Sequence, residues 1–152
     1  MFMIIKKKQI ITLIGILVVM SLMSYGTDGI FSLILSIPAV LLAITVHEFG
    51  HAFAAYKLGD DTPVQQGRLT LNPLAHIDPT GMVCLIFAGF GWGKPVRVNR
   101  NSFVNKSPAF CETMVALAGP LMNFILAIVF KLAALLLLKF YYSIKLNFVT
   151  QT

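Results

Sequence analysis

Between Ile30 and Leu58 only Glu48 and Lys57 carry a formal charge, and histidines lie on both sides of Glu48: His47-Glu48-Phe49-Gly50-His51. A run this long and apolar suits a lipid core, which a helix crosses in about 20 residues at 1.5 Å each. Two imidazoles and a carboxylate within about one turn are expensive at that depth, so they mark a functional site. On a helix, His at i and i+4 project from one face and can share one metal ion, the arrangement written H-E-x-x-H. Glu48 is displaced by about 100° from His47, so it can face an open metal position without ligating. The plainer alternative is a pair of packed core histidines. It requires this register to arise by chance inside a stretch that excludes charge.

The rest of the chain agrees with a membrane setting. It is 57% hydrophobic and only 12% charged, against about 25% charged in soluble domains. The net charge of +6 does not indicate nucleic acid, because the basic residues cluster beside apolar runs, where they set orientation. Cys84 and Cys111 have neither zinc-site spacing nor a disulfide framework and read as packing residues.

The pattern predicts an all-α membrane protein with about three transmembrane helices and a short re-entrant or interfacial segment. Its divisions are an N-terminal helix and turn (1–29), a membrane core (30–140) and a tail (141–152). Lys6-Lys7-Lys8 precedes an uncharged Ile10–Met23. This reads as a retained first helix with a cytoplasmic N-terminus, with a cleaved signal peptide as the alternative. Ser24–Gly29 is expected to turn outside. Ile30–Leu58 is the second helix, with a kink expected at Pro38 and a C-cap at Gly59. Gly59–Gly81 is polar and turn-rich. Met82–Trp92 is apolar but too short to span as a helix. Gly93–Pro108 carries Lys94, Arg97, Arg100 and Lys106 with no acid, and so reads as cytoplasmic. Ala109–Phe140 is the third span. A break is expected at Gly119-Pro120, and the Asn123 amide needs a partner, either another helix or a substrate.

Zinc suits paired histidines with a nearby carboxylate, and a catalytic zinc site keeps three protein ligands and one open position. Bound zinc polarises a carbonyl and lowers the pKa of its water towards 7. Glu48 would then act as general base in peptide-bond hydrolysis. The third ligand stays open among Asp78, His76, Glu112, Asp60 and Asp61.

Five stretches together resemble the site-2 protease family of intramembrane zinc metalloproteases, in its compact bacterial and archaeal branch without a PDZ insert. They are His47-Glu48-Phe49-Gly50-His51-Ala52, Lys57-Leu58-Gly59-Asp60-Asp61-Thr62, the run from Gly67 to Pro79, Phe90-Gly91-Trp92-Gly93-Lys94-Pro95-Val96, and Ala118-Gly119-Pro120-Leu121-Met122-Asn123. The resemblance implies a multi-pass endopeptidase of the cell membrane. Its partners would be the lipid bilayer and a transmembrane protein or peptide substrate. His47 and His51 would be zinc ligands, Glu48 the catalytic base, and Asn123 a neighbour of the site and candidate substrate contact.

Two departures bear on activity. The family's Asn-x-x-Pro…Leu-Asp-Gly segment, which supplies a third ligand, has no counterpart here, and no acid follows Glu112. The stretch between Gly81 and Phe90 is also shorter than is usual in the family. The resemblance therefore implies a C-terminally truncated member. Its site would be completed by Asp78 or by a partner chain, or else it would bind membrane helices without cutting. A metal transporter fits less well, since only one ionisable cluster lies in the apolar runs.

Overall fold

The computed structural model describes residues 7–104 and 106–150, and these are mostly helical. The elements run α1 (Lys7–Lys57), α2 (Thr62–Gln65), a 3-10 turn at Pro73–Ala75, α3 (Pro79–Ala88), a 3-10 turn at Arg100–Ser102, and α4 (Pro108–Thr150). Among the described residues no strand forms; an isolated antiparallel bridge joins Ile77 and Gly93. Lys6 of the basic N-terminal cluster and the last two residues of the tail lie outside the described residues.

Two segments are long and apolar enough to cross a membrane, Ile34–Lys57 and Pro108–Lys145. Against the expected count of about three, two such segments occur among the described residues. The N-terminal part of α1 is helical from Lys7.

The chain divides into two compact units, Met1–Thr45 with Thr70–Pro95, and Val46–Leu69 with Val96–Thr152. In the first unit the turn expected over Ser24–Gly29 shrinks to one residue. Gly26 alone leaves helical dihedrals, with φ 59° and ψ −177°. Glycine reaches positive φ without a Cβ clash, so the break falls there. The helix continues through Pro38, and α4 likewise continues through Pro120. Proline removes one N–H, but the remaining ladder holds both helices together.

α3 starts earlier and stops sooner than the apolar segment Met82–Trp92. Asp78 sets its start, accepting from the N–H groups of Thr80 and Gly81 at 2.8 and 3.0 Å, with Pro79 in the first turn. A helix leaves its first N–H groups unpaired, and an aspartate at the N-cap satisfies them. Gly89, in the left-handed conformation at φ 73°, ends it. Ten residues reach about 15 Å, half of a lipid core. Beyond Gly89 the chain folds back along α3. A Cβ on Gly81 would run into the Trp92 backbone. The Lys94 N–H reaches the carbonyl of the fully buried His76 at 2.8 Å.

In the second unit the last part of α1 packs antiparallel against the first half of α4. The register is given by His47 opposite Asn123, Gly50 opposite Ala118 and Met122, and His51 opposite Val115 and Gly119. Small residues let the backbones approach: a Cβ on Gly50 would stand 2.8 Å from the Ala118 carbonyl oxygen. Ala52, Ala55, Cys111 and Val115 complete the buried seam. Both cysteines are free, as their spacing implied. Further along α4, Leu121, Phe124, Ile128, Leu132 and Leu136 are all exposed. A large apolar surface of this kind suits lipid.

Candidate metal centre

The helical spacing of His47 and His51 works as expected. Their rings meet edge to face with centroids 4.6 Å apart. With Glu48 they form a group whose ligand atoms all lie within 4.8 Å of one another. All three side chains are partly buried.

Each ring is held by its Nδ1 nitrogen. His51 Nδ1 lies 2.7 Å from the Val115 carbonyl oxygen, and His47 Nδ1 lies 3.3 Å from the Asn123 amide nitrogen. Both Nε2 atoms face Gly119. A Cβ at that position would collide with His51 Nε2 and stand 2.8 Å from His47 Nε2. Glycine therefore keeps a side chain away from the two ring nitrogens that remain for a ligand. Two imidazole nitrogens converging beside a carboxylate are a donor set that zinc accepts, so the residues fit a zinc ion.

Glu48 is oriented by backbone. Its Oε2 accepts the Val96 N–H at 3.0 Å. Val96 begins a segment tied down at several points along residues 58–66. The Arg97 N–H donates to Gln66 Oε1 at 3.3 Å, the Asn99 N–H to Asp60 Oδ2 at 2.7 Å, and the Val104 N–H to the Leu58 carbonyl at 3.1 Å. Asp60 is fully buried, and its other oxygen accepts the Thr62 N–H at 3.0 Å. Both of its oxygens are thus occupied, Oδ2 by the strap and Oδ1 by the start of α2. Gly59, at φ 101° and pressed against Val104 of the strap, turns the chain out of α1 towards α2.

The other candidate ligands have other tasks. Asp78 is the N-cap of α3, with Oδ1 committed to two N–H groups. Glu112 pairs with Arg100 at 3.3 Å on the surface. Asp61 precedes α2 and is exposed. His76 Nε2 meets the Thr70 carbonyl oxygen at 2.8 Å. Sequence reasoning missed the Val96 donor, because a backbone N–H has no residue signature. It also read Gly119 only as a break. The signal available for Gly119 was its place four residues before Asn123, on the same helix face.

The family model for peptidase family M50 matches residues 35–151. The chain belongs to this family, the site-2 proteases. Three relatives are each named as a candidate zinc metalloprotease. YwhC of Bacillus subtilis is 49% identical over 90 residues, covering 59% of this chain and 40% of the relative. Rip2 of Mycolicibacterium smegmatis is 38% identical over 106 residues, or 66% and 39% of the two chains. Rip2 of Mycobacterium tuberculosis is 34% identical over 113 residues, or 72% and 42%. The chain thus matches about two fifths of the length of these relatives. No solved structure matches.

Proposed function

We propose that this chain carries the zinc-binding core of an intramembrane metalloendopeptidase. His47 and His51 hold the metal through Nε2, and Glu48 is the general base. The observation that carries this reading is the convergence of both Nε2 atoms, beside the Glu48 carboxylate, on a helix face that Gly119 leaves bare. When bound, zinc supplies Lewis acidity towards a scissile carbonyl and acidifies a water. Glu48 would take a proton from the attacking water and pass it to the leaving amine. The Val96 N–H holds Oε2, which fixes the carboxylate plane and leaves Oε1 for the proton. The apolar, exposed flanks of α1 and α4 fit a site that works on peptide bonds of membrane-embedded substrates, where poor hydration strengthens electrostatic effects. The basic residues Lys94, Arg97, Arg100 and Lys106 favour a cytoplasmic position for the segment that carries them. The third ligand would come from Asp78, through the Oδ2 that its cap leaves over, or from a partner chain.

A second reading is a member that binds membrane helices without cutting them. It is favoured by the cluster itself, which offers two histidines besides the base where catalytic zinc uses three protein ligands. Zinc content and cleavage of a model transmembrane peptide separate the two readings. The protease reading expects one tightly bound zinc that His47→Ala loses and Glu48→Gln retains. It also expects Glu48→Gln to lower cleavage by about 100-fold or more. Zinc retained with no cleavage by the wild type would support the second reading, and no zinc uptake at all would defeat the protease reading.

A further inference from the structure

The two rings of the cluster differ in what faces their Nδ1 atoms. The Val115 carbonyl can only accept, so His51 carries its proton on Nδ1 and keeps a lone pair on Nε2. His47 Nδ1 faces the amide nitrogen of Asn123 at 3.3 Å, and an amide nitrogen only donates. In that arrangement neutral His47 carries its proton on Nε2, the atom turned towards Gly119. A protonated Nε2 has no lone pair for a cation.

The other end of the same amide resolves this. Asn123 Oδ1 is buried and has no hydrogen-bond partner, so turning the amide over breaks no other bond. Oxygen and nitrogen then change places, and which one faces the ring is decided by hydrogen bonding alone. We propose that Asn123 is the positioning residue of His47, an assignment that rests on the zinc reading above. Its Oδ1 accepts the Nδ1–H of His47, holds the ring in the tautomer with a bare Nε2, and fixes its orientation. Val115, Gly119 and Asn123 then form a single i, i+4, i+8 stripe on α4. The outer two anchor the Nδ1 atoms of His51 and His47, and the middle one clears the space before both Nε2 atoms. A second partner that accepts Nδ1–H is the usual way a protein orients a metal-binding imidazole and raises its basicity. Asn123 thus acts through His47 and needs no contact with substrate.

The test is zinc affinity of the full chain in detergent, measured by competition with a chromophoric chelator. Asn123→Leu is expected to weaken zinc binding about 10- to 100-fold, the range for lost partners of metal ligands. Asn123→Asp, which can only accept, is expected to stay within about threefold of wild type or bind more tightly. With zinc in excess, peptide cleavage by Asn123→Leu should recover without a raised KM. Wild-type affinity in Asn123→Leu together with a raised KM would mark a substrate contact and overturn the proposal. Should Asn123→Leu fail to fold, Asn123→Asp decides alone: a loss beyond about tenfold would show that the amide's donor is what matters, and would overturn it. His47→Ala is the control for the underlying reading. If that variant binds zinc as the wild type does, the zinc reading fails first, and the two failures are told apart.

Discussion

Val96 gives its backbone N–H to Glu48 Oε2 at 3.0 Å, from a position 48 residues along the chain. A carboxylate proposed as a general base must be held without being neutralised. A backbone donor does this, since it adds no formal charge and cannot swing away as a lysine would. The donor is only as steady as the strap that carries it, and the strap is fastened by Asp60. This buried carboxylate spends both oxygens on backbone N–H groups, those of Thr62 and Asn99.

Asp60→Ala should therefore act in two places. Unsatisfied N–H groups around a lost, buried anion should lower stability by about 3 kcal/mol. The amides of Val96 and Asn99 should exchange with solvent faster than those of the α1–α4 seam. Hydrogen exchange with mass spectrometry on the purified chain checks both, and an unchanged Val96 amide would show that the strap holds without Asp60.

Gly119→Ala gives an outcome opposite in sign to the usual one. Within a helix, alanine is better than glycine by about 1 kcal/mol. Here the new Cβ would collide with His51 Nε2 and press on His47 Nε2. Overpacking of this kind costs about 1–3 kcal/mol, so the metal-free chain should melt at a lower temperature rather than a higher one. Zinc affinity should fall at least tenfold, because both nitrogens would have to move. A variant that is more stable and still takes up zinc would show that the helices part freely at this point.

How much of this could be read in advance follows the range of each interaction. The shared face of His47 and His51 was legible because i, i+4 spacing is local and the surrounding residues are apolar. The shortness of α3 was legible for the same reason, although its ends were misplaced. They are set by Asp78, the N-cap, and Gly89, the left-handed C-cap. Asp60, one of five candidates for a third ligand, is buried among N–H groups, a setting that a carboxylate in a polar loop does not reveal in sequence. The break in α1 fell at Gly26 rather than as a turn over Ser24–Gly29, since one glycine can supply the whole deviation. Val96 and the register of His47 against Asn123 were out of reach. They depend on pairing residues 48 and 76 positions apart, which no local period encodes.

Asp78 can be tested as cap and ligand separately. Asn and Asp are about equal at an N-cap, whereas Ala costs about 1 kcal/mol. Asp78→Asn should thus keep α3 intact, and Asp78→Ala should loosen it by about that amount. If capping is the whole of its role, zinc affinity should be the same, within about twofold, in wild type and Asp78→Asn. A loss of tenfold or more in Asp78→Asn, with α3 still formed by hydrogen exchange, would make the carboxylate a ligand as well.

The exposed flank of α4 gives the last prediction. Ile128 is 44% exposed and lies well inside the segment Pro108–Lys145. Facing lipid, it should tolerate Leu or Val with little effect. Ile128→Lys should oppose insertion by about 3 kcal/mol if the side chain sits near the bilayer centre. The fraction of chain recovered in the membrane after expression, or after reconstitution into vesicles, should fall accordingly. Lys145→Arg, which only exchanges one cation for another, should have no effect. Equal membrane recovery of Ile128→Lys and wild type would mean that this face of α4 meets water or protein, and the case for a spanning α4 would then have to rest on its length alone.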